Sequence, residues 1–284
     1  MLIVGADGLL GSSLLQHWLA RGVPVAGTTR RPEAKGGEGE IIRFDLAAPA
    51  EQWPHFPRCN AAVVCAGVTN GEQCRRDPEG TRRINVRQTL RLAEMLSQQG
   101  IFVVFISTNL VFDGTKPLRR ANEVFSPMTE YGRQKADVEK ALAGLDRPGA
   151  VVRLTKVFHP GMALVRGWQR DLEQQRLIAP FDDLVCAPIS LAAVVAAITT
   201  IAERCRSGVW QLSACTDISY ADVARTFARE KNFDGKLICP VSCRSRGDLE
   251  HVPLHTTLDT MEAENTFGFK AEDPVEVVQR MFTA

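Results

Sequence analysis

Through the first half of the chain, short apolar runs rich in β-branched residues alternate with longer amphipathic stretches. The runs at residues 2–4, 23–27, 41–44, 61–65, 101–106 and 150–154 read as strands, and 11–21, 78–99 and 129–145 read as the helices between them. That alternation predicts repeated βαβ units and an α/β fold built on a doubly wound parallel sheet over residues 1–153. Beyond residue 153 the alternation weakens, and two further helical patterns appear at 191–204 and 220–229. Residues 154–284 are therefore assigned mainly to a smaller C-terminal lobe, with some segments returning to the first domain. No repeat is visible, and the one low-complexity tract is the glycine-rich loop at residues 36–39.

Composition narrows the function classes. At 284 residues and 45% apolar content the chain can bury a large core without disulfides or metal. A net charge of +1 gives no electrostatic footprint for nucleic acid or an anionic membrane, so a small-molecule ligand is expected. The chain enters a strand directly at Leu2, which predicts no signal peptide and a cytoplasmic protein. The longest apolar stretch, 191–202, contains Thr199 and Thr200 and reads as a buried helix rather than a membrane span. The 8 cysteines lack paired CxxC spacing and are expected as reduced, mostly buried thiols. His251 and His255 flank Pro253, which favours a loop, so no metal site is predicted.

The first candidate site is the turn Gly5-Ala6-Asp7-Gly8-Leu9-Leu10-Gly11, between a strand and a helix. Glycines at this spacing allow a tight turn and close approach of a pyrophosphate to the helix N-terminus, whose free N–H groups and dipole favour anions. The second strand ends in Thr28-Thr29-Arg30-Arg31, where a site for NAD carries an acid for the ribose hydroxyls. Guanidiniums there suit a 2′-phosphate and point to NADP, the alternative being a solvated basic loop.

The second candidate site is Tyr131 and Lys135, four apart on a predicted helix and so on one face. An ammonium beside a phenol favours the phenolate, which makes the pair a tuned proton donor. Upstream, the strand at 101–106 runs into Ser107-Thr108-Asn109, and Thr108 at a parallel strand's C-terminal end stands where substrates bind. Such hydroxyls also serve as turn formers and helix caps.

Several segments together carry a family resemblance: the glycine turn, Asp45-Leu46, Cys65-Ala66-Gly67, Asn85 within Ile84-Asn85-Val86, the run Ser107 to Gly114, and the Tyr131/Lys135 pair. The chain resembles the extended short-chain dehydrogenases/reductases, and within them the dTDP-4-dehydrorhamnose reductases and their sugar-nucleotide-binding relatives. The likeness is close over the first 160 residues and loose beyond. It implies a Rossmann domain and a substrate-binding lobe, with Thr108, Tyr131 and Lys135 as catalytic triad. It also implies cofactor contacts at Gly5, Gly8, Leu9, Leu10, Gly11, Thr29, Arg30, Arg31, Asp45, Leu46, Cys65, Ala66, Gly67 and Asn85. The implied reaction reduces a nucleotide-linked 4-keto sugar, with hydride from NADPH and a proton from Tyr131. Lys135 would also hold the nicotinamide ribose.

Two departures bear on the substrate. The family's Thr-Asp-Tyr-Val-Phe-Asp-Gly run stands here as Thr108-Asn109-Leu110-Val111-Phe112-Asp113-Gly114, without the acid and the aromatic. A tryptophan of the rhamnose-pathway enzymes is replaced by Lys156, which either attracts a phosphate or carboxylate or extends into solvent. Thr108, Asn109, Phe112, Lys156 and Arg166 are the expected substrate contacts, with Arg166, Arg170 and Arg176 reading equally as a solvated face. A non-catalytic NADP-binding regulatory subunit, and an epimerase or dehydratase of the same fold, stay open beside the reductase, and a homodimer stays open as the assembly.

Overall fold

The computed structural model describes residues 1–31, 40–145, 149–245 and 249–283. The glycine-rich loop at 36–39 lies outside the described residues. The chain begins with β1 (Leu2–Val4), α1 (Leu9–Ala20), β2 (Ala26–Thr29), β3 (Glu40–Arg43), β4 (Ala61–Val64), α2 (Gly71–Arg76) and α3 (Pro78–Arg82). A π-helical stretch, Arg83–Gln88, leads into α4 (Thr89–Gln98), β5 (Phe102–Thr108), α5 (Glu130–Leu142) and β6 (Ala150–Leu154). There follow β7 (Lys156–Phe158), α6 (Ala163–Glu173), β8 (Val185–Cys186), β9 (Pro188–Ser190), α7 (Leu191–Glu203) and β10 (Gly208–Leu212). The last elements are β11 (Ile218–Ser219), α8 (Tyr220–Glu230), α9 (Met261–Phe267) and α10 (Pro274–Thr283).

Seven of the described strands form one sheet in the order β10-β6-β5-β4-β1-β2-β3, and the pairs β1·β2, β1·β4, β2·β3 and β4·β5 are parallel. The chain turns outward in both directions from β1 and β4, so the switch point of a doubly wound sheet lies at their C-terminal ends. Strands covered on both faces read as continuous apolar runs, as β1 and β4 do, with every residue buried. One face is covered by α4 and α5, whose Leu92, Leu96, Val138 and Leu142 repeat at helical spacing and pack on Leu2, Val64 and Phe105. On α1, Trp18 is fully buried; its indole donates to Glu203 at 3.0 Å, which Arg21 also holds at 2.7 Å.

Contacts divide the chain into two units. The first comprises Met1–Val111, Thr129–Arg153 and Val195–Trp210; the second comprises Phe112–Met128, Leu154–Val194 and Gln211–Ala284. The second unit has its own core, in which Trp168 and Leu172 of α6, Phe227 of α8 and Val278 and Phe282 of α10 come together. Its strands are short, pairing Lys156 with Pro188 and Val185 with Ser219. No helix among the described residues is long and apolar enough to cross a membrane.

Two elements differ from expectation. The second strand begins at Ala26 rather than Val23, because Val23 N–H closes the end of α1 onto the Trp18 carbonyl and Pro24 has no N–H to give a ladder. The single helix expected over 78–99 is α3, a π-helical stretch and α4 in succession. One extra residue per turn there rotates Asn85 inward, where it is 4% exposed.

Candidate active site

The glycine turn after β1 is fixed by close packing. Gly5 has φ 89°, and a Cβ on it would lie 2.9 Å from the Ala66 nitrogen. A Cβ on Gly11 would lie 2.2 Å from the Gly5 carbonyl oxygen, so α1 can approach the turn only with hydrogen at that position. The Gly5 N–H donates to Thr28 Oγ1 at 3.0 Å, and the Ala66 N–H donates to the Val4 carbonyl at 2.9 Å, which ties the turn to both neighbouring strands. Gly8 caps α1 with no side-chain acceptor for the helix's first N–H groups.

Against this turn lies a cavity of about 420 Å³, within the usual span of small-molecule sites of roughly 300–1,000 Å³. Gly5 and Gly8 form its floor, Thr29 and Arg30 the end of β2, and Asp45 and Leu46 the segment after β3. Cys65, Ala66 and Gly67 line the side beyond β4. Burial pushes the Cys65 thiol up to about 12, so it remains a neutral wall. A glycine floor, a helix N-terminus and a guanidinium at the end of β2 fit the phosphates of a dinucleotide.

Other expected cofactor residues do not line the cavity. Leu9, Leu10 and Gly11 form the first turn of α1 behind Gly8, and the Arg31 guanidinium turns to the Asp7 carboxylate at 3.4 Å. Asn85 acts on the wall from behind. Its Oδ1 accepts from the Val68 N–H at 2.7 Å, its Nδ2 donates to the Val68 carbonyl at 2.9 Å, and the same Nδ2 reaches Gln134 Oε1 at 2.8 Å. Gln134 is fully buried and donates onward to Thr81 Oγ1 at 2.9 Å. Asp7 and Gln134 are absent from the sequence expectation. Asp7 stood in view inside the glycine turn, but Gln134 owes its place to Asn85 and Thr81, far upstream in the chain, as well as to Glu130 one helical turn before it.

The proton-transfer candidates meet where β5 ends and α5 begins. Thr129 caps α5 by accepting from the Gly132 N–H at 3.1 Å, placing Tyr131 in the first turn. The backbone after Thr108 packs against that turn so closely that a Cβ on Gly132 would lie 2.1 Å from the Leu110 carbonyl oxygen. Lys135 Nζ donates to the Ile106 carbonyl at 2.7 Å and lies 4.4 Å from the centroid of the Phe105 ring and 5.7 Å from that of Tyr131. Thr108 is buried; its hydroxyl accepts from the Leu110 N–H at 3.2 Å and faces Asn109 Oδ1 at 3.3 Å.

The electrostatics correct the expectation of a lowered phenol. Burial, with a smaller contribution from Cys74, pushes the Tyr131 hydroxyl above its ordinary value. Burial also pushes Lys135 down to about 8, against the pull of the Glu139 carboxylate. Tyr131 is thus held as a protonated acid, and Lys135 gives up its proton more readily than an exposed lysine.

The remaining expected substrate contacts lie in the second unit, apart from Asn109, which opens a short turn over Asn109–Val111. Phe112 is buried beneath the Arg119 guanidinium, 4.5 Å from its ring centroid. Lys156 opens β7 and Arg166 lies in the first turn of α6, both exposed. His159, not singled out in the sequence, lies near both: its pKa is lowered by partial burial and then by Arg166 and Lys156. Arg176 is held by Asp171 at 2.5 Å, and Arg170 lies 3.7 Å from the same carboxylate. His251 turns to the Asp113 carbonyl at 2.7 Å and His255 to Asp217 at 3.4 Å, so the two histidines face different partners.

A family model described as the RmlD substrate binding domain matches residues 1–284. The chain is 27% identical over 261 residues to a dTDP-4-keto-6-deoxy-D-glucose reductase of Streptomyces niveus, covering 90% of this chain and 87% of that one. It is 26% identical over 183 residues to methionine adenosyltransferase 2 subunit beta of Pongo abelii, covering 64% of this chain and only about half, 52%, of that subunit's length. Among solved structures, a dTDP-4-dehydrorhamnose reductase of Bacillus anthracis in complex with NADP superposes with a TM-score of 0.83 at 18% identity, covering 99% of this chain and 98% of that one. The fold is therefore the Rossmann-type fold of those proteins.

Proposed function

The chain belongs to the RmlD substrate-binding family, and from that premise we propose that it is an NADPH-dependent reductase of a nucleotide-activated 4-keto deoxysugar. The observation that carries the reading is the corner of β5 and α5, where Lys135 lies 5.7 Å from the Tyr131 ring and bonds to β5 two residues before Thr108, on one unit that also holds the glycine-floored cavity. The similarity to the Streptomyces niveus reductase supports the substrate class. The NADP complex of the Bacillus anthracis protein supports the cofactor.

When bound, NADPH supplies the hydride that reduces the carbonyl carbon. The protein's residues orient and protonate. Tyr131, kept protonated by burial, gives its hydroxyl proton to the carbonyl oxygen as the new C–H bond forms, and solvent reprotonates it. Thr108 presents a hydroxyl to the same oxygen. Lys135, fixed on the Ile106 carbonyl, holds positive charge beside the phenol and favours the phenolate left after transfer. Arg30 at the cavity's edge would hold the 2′-phosphate, while Arg31 faces Asp7. In the second unit, Lys156, His159 and Arg166 form a basic group that suits an anion such as a nucleotide diphosphate.

The reaction is tested by following NADPH absorbance with nucleotide-linked 4-keto-6-deoxyhexoses. Consumption in the parent protein and a loss of at least about a hundredfold in Tyr131→Phe are expected for a general acid. Equal rates in the two proteins contradict the assignment. The similarity to methionine adenosyltransferase 2 subunit beta favours a second reading, an NADP-binding regulatory subunit. NADPH binding without consumption against any such sugar would select that reading.

A further inference from the structure

Behind the proton-transfer corner lies a buried ionic cluster that takes no part in the mechanism above. Arg153 on β6 is 1% exposed and Glu139 on α5 is 4% exposed. The guanidinium donates to Glu139 Oε2 from both Nη2 at 2.7 Å and Nε at 2.9 Å, and Nε also reaches Oε1 at 3.2 Å, so the carboxylate is held by charge-assisted bonds. Ser107, the neighbour of Thr108 at the end of β5, donates its hydroxyl to the other carboxylate oxygen. Glu139 is four residues beyond Lys135 on the same helix, so the two side chains share a buried face.

We propose that Glu139 is a positioning residue for the candidate active site: aimed by Arg153 and tied to the strand end by Ser107, it supplies the fixed counter-charge that keeps Lys135 a cation. This rests on the reading of Lys135 as the ammonium that serves Tyr131. A buried ion pair added for stability alone is poorly explained here, because taking two charges out of water offsets most of their attraction and an apolar pair of similar size packs as well. The placement makes sense if the carboxylate does something for a neighbour. That neighbour is Lys135, whose ammonium is enclosed by Phe105, the Ile106 carbonyl and Tyr131. The titratable groups acting on it are Glu139 on α5, Cys65 beyond β4 and Cys74 on α2, with Tyr131 in front and Arg153 behind Glu139. Burial lowers Lys135 to about 8; Glu139 is the largest influence opposing that fall.

The sign follows from this. The working form of Lys135 is the cation, so activity falls as pH rises through its pKa. Removing the carboxylate's charge lowers that pKa and moves the loss of activity to lower pH. The probe is the titration of Lys135 itself, followed by NMR in protein carrying ¹³Cε-lysine, with the Lys135 signal assigned through Lys135→Arg. In Glu139→Gln the titration should move down by about one pH unit, and the basic limb of kcat/KM should move with it. Because that variant also removes the carboxylate charge facing the buried Arg153 cation, Glu139→Gln with Arg153→Met is the companion, expected to shift in the same direction by less. An unchanged Lys135 titration in a folded variant overturns the proposal, even if activity drops, since a merely structural role lowers activity without moving the limb. A shifted titration in Glu139→Gln, where the parent protein itself consumes no NADPH with these sugars, supports the counter-charge and rejects the reductase reading, so the two failures are distinct.

Discussion

Arg30 and Arg31 are adjacent in sequence and differ in what they meet. Arg30 lines the cavity and Arg31 pairs with Asp7 across the glycine turn. Arg30→Ala is therefore expected to weaken NADPH binding by about tenfold or more while leaving NADH nearly unchanged, as loss of a charge-assisted bond to the 2′-phosphate requires. Arg31→Ala should have a much smaller effect. Isothermal titration with both nucleotides checks this, and equal losses for NADPH and NADH would reject the phosphate contact. The glycines were legible because a turn and a close approach demand them by sterics alone. The split between the arginines was not, because it depends on which way Asp7 faces. The direction of the Tyr131 shift was also hidden: the i, i+4 spacing shows an ammonium nearby, but not how deeply the phenol is buried or that the ammonium is bonded to the Ile106 carbonyl.

At the level of elements, alternating apolar and polar positions reveal that a helix lies between residues 78 and 99, because its amphipathic period persists. They do not reveal the π-helical stretch that shifts the phase and turns Asn85 inward. That shift lets one amide hold both the N–H and the carbonyl of Val68 while reaching Gln134. Asn85→Ala leaves the half-buried Val68 groups without this partner and is expected to cost about 1–3 kcal/mol in stability, measured by urea unfolding. NADPH affinity should fall with it, since Gly67 and Val68 form the cavity wall. Unchanged affinity would show that the wall holds its shape without Asn85. The β5–α5 corner was better exposed in the sequence, because Thr108, Tyr131 and Lys135 lie on two neighbouring elements whose type and direction the pattern already gave.

On the scale of the whole molecule, the first unit was legible and the second largely was not. The sheet's inner strands declare themselves by apolar content, whereas β7, β8, β9 and β11 have two or three residues each and exist only through distant pairings. Long-range order of that kind leaves no local period. The second unit also carries its own acid sensitivity. Burial opposes ionisation of Asp113, but bonds from Thr115 and the charge of Arg119 hold it down at about 2. A carboxylate lowered in the folded state stabilises above its unfolded pKa, and that contribution fades as pH falls from about 4 toward 2. Asp113→Asn should therefore lower the melting temperature at neutral pH, with the gap from the parent closing across that acid window.

Carbonyl reduction with a proton from Tyr131 can be followed in one labelled turnover. The protein is given NADPH deuterated at the transferable position together with a nucleotide-linked 4-keto-6-deoxyhexose, and the product is read by mass spectrometry in the parent and in Tyr131→Phe. A single deuteron is expected on the former carbonyl carbon, formed at least about a hundredfold more slowly in the variant. Label that stays on the nucleotide while NADPH remains tightly bound would contradict it.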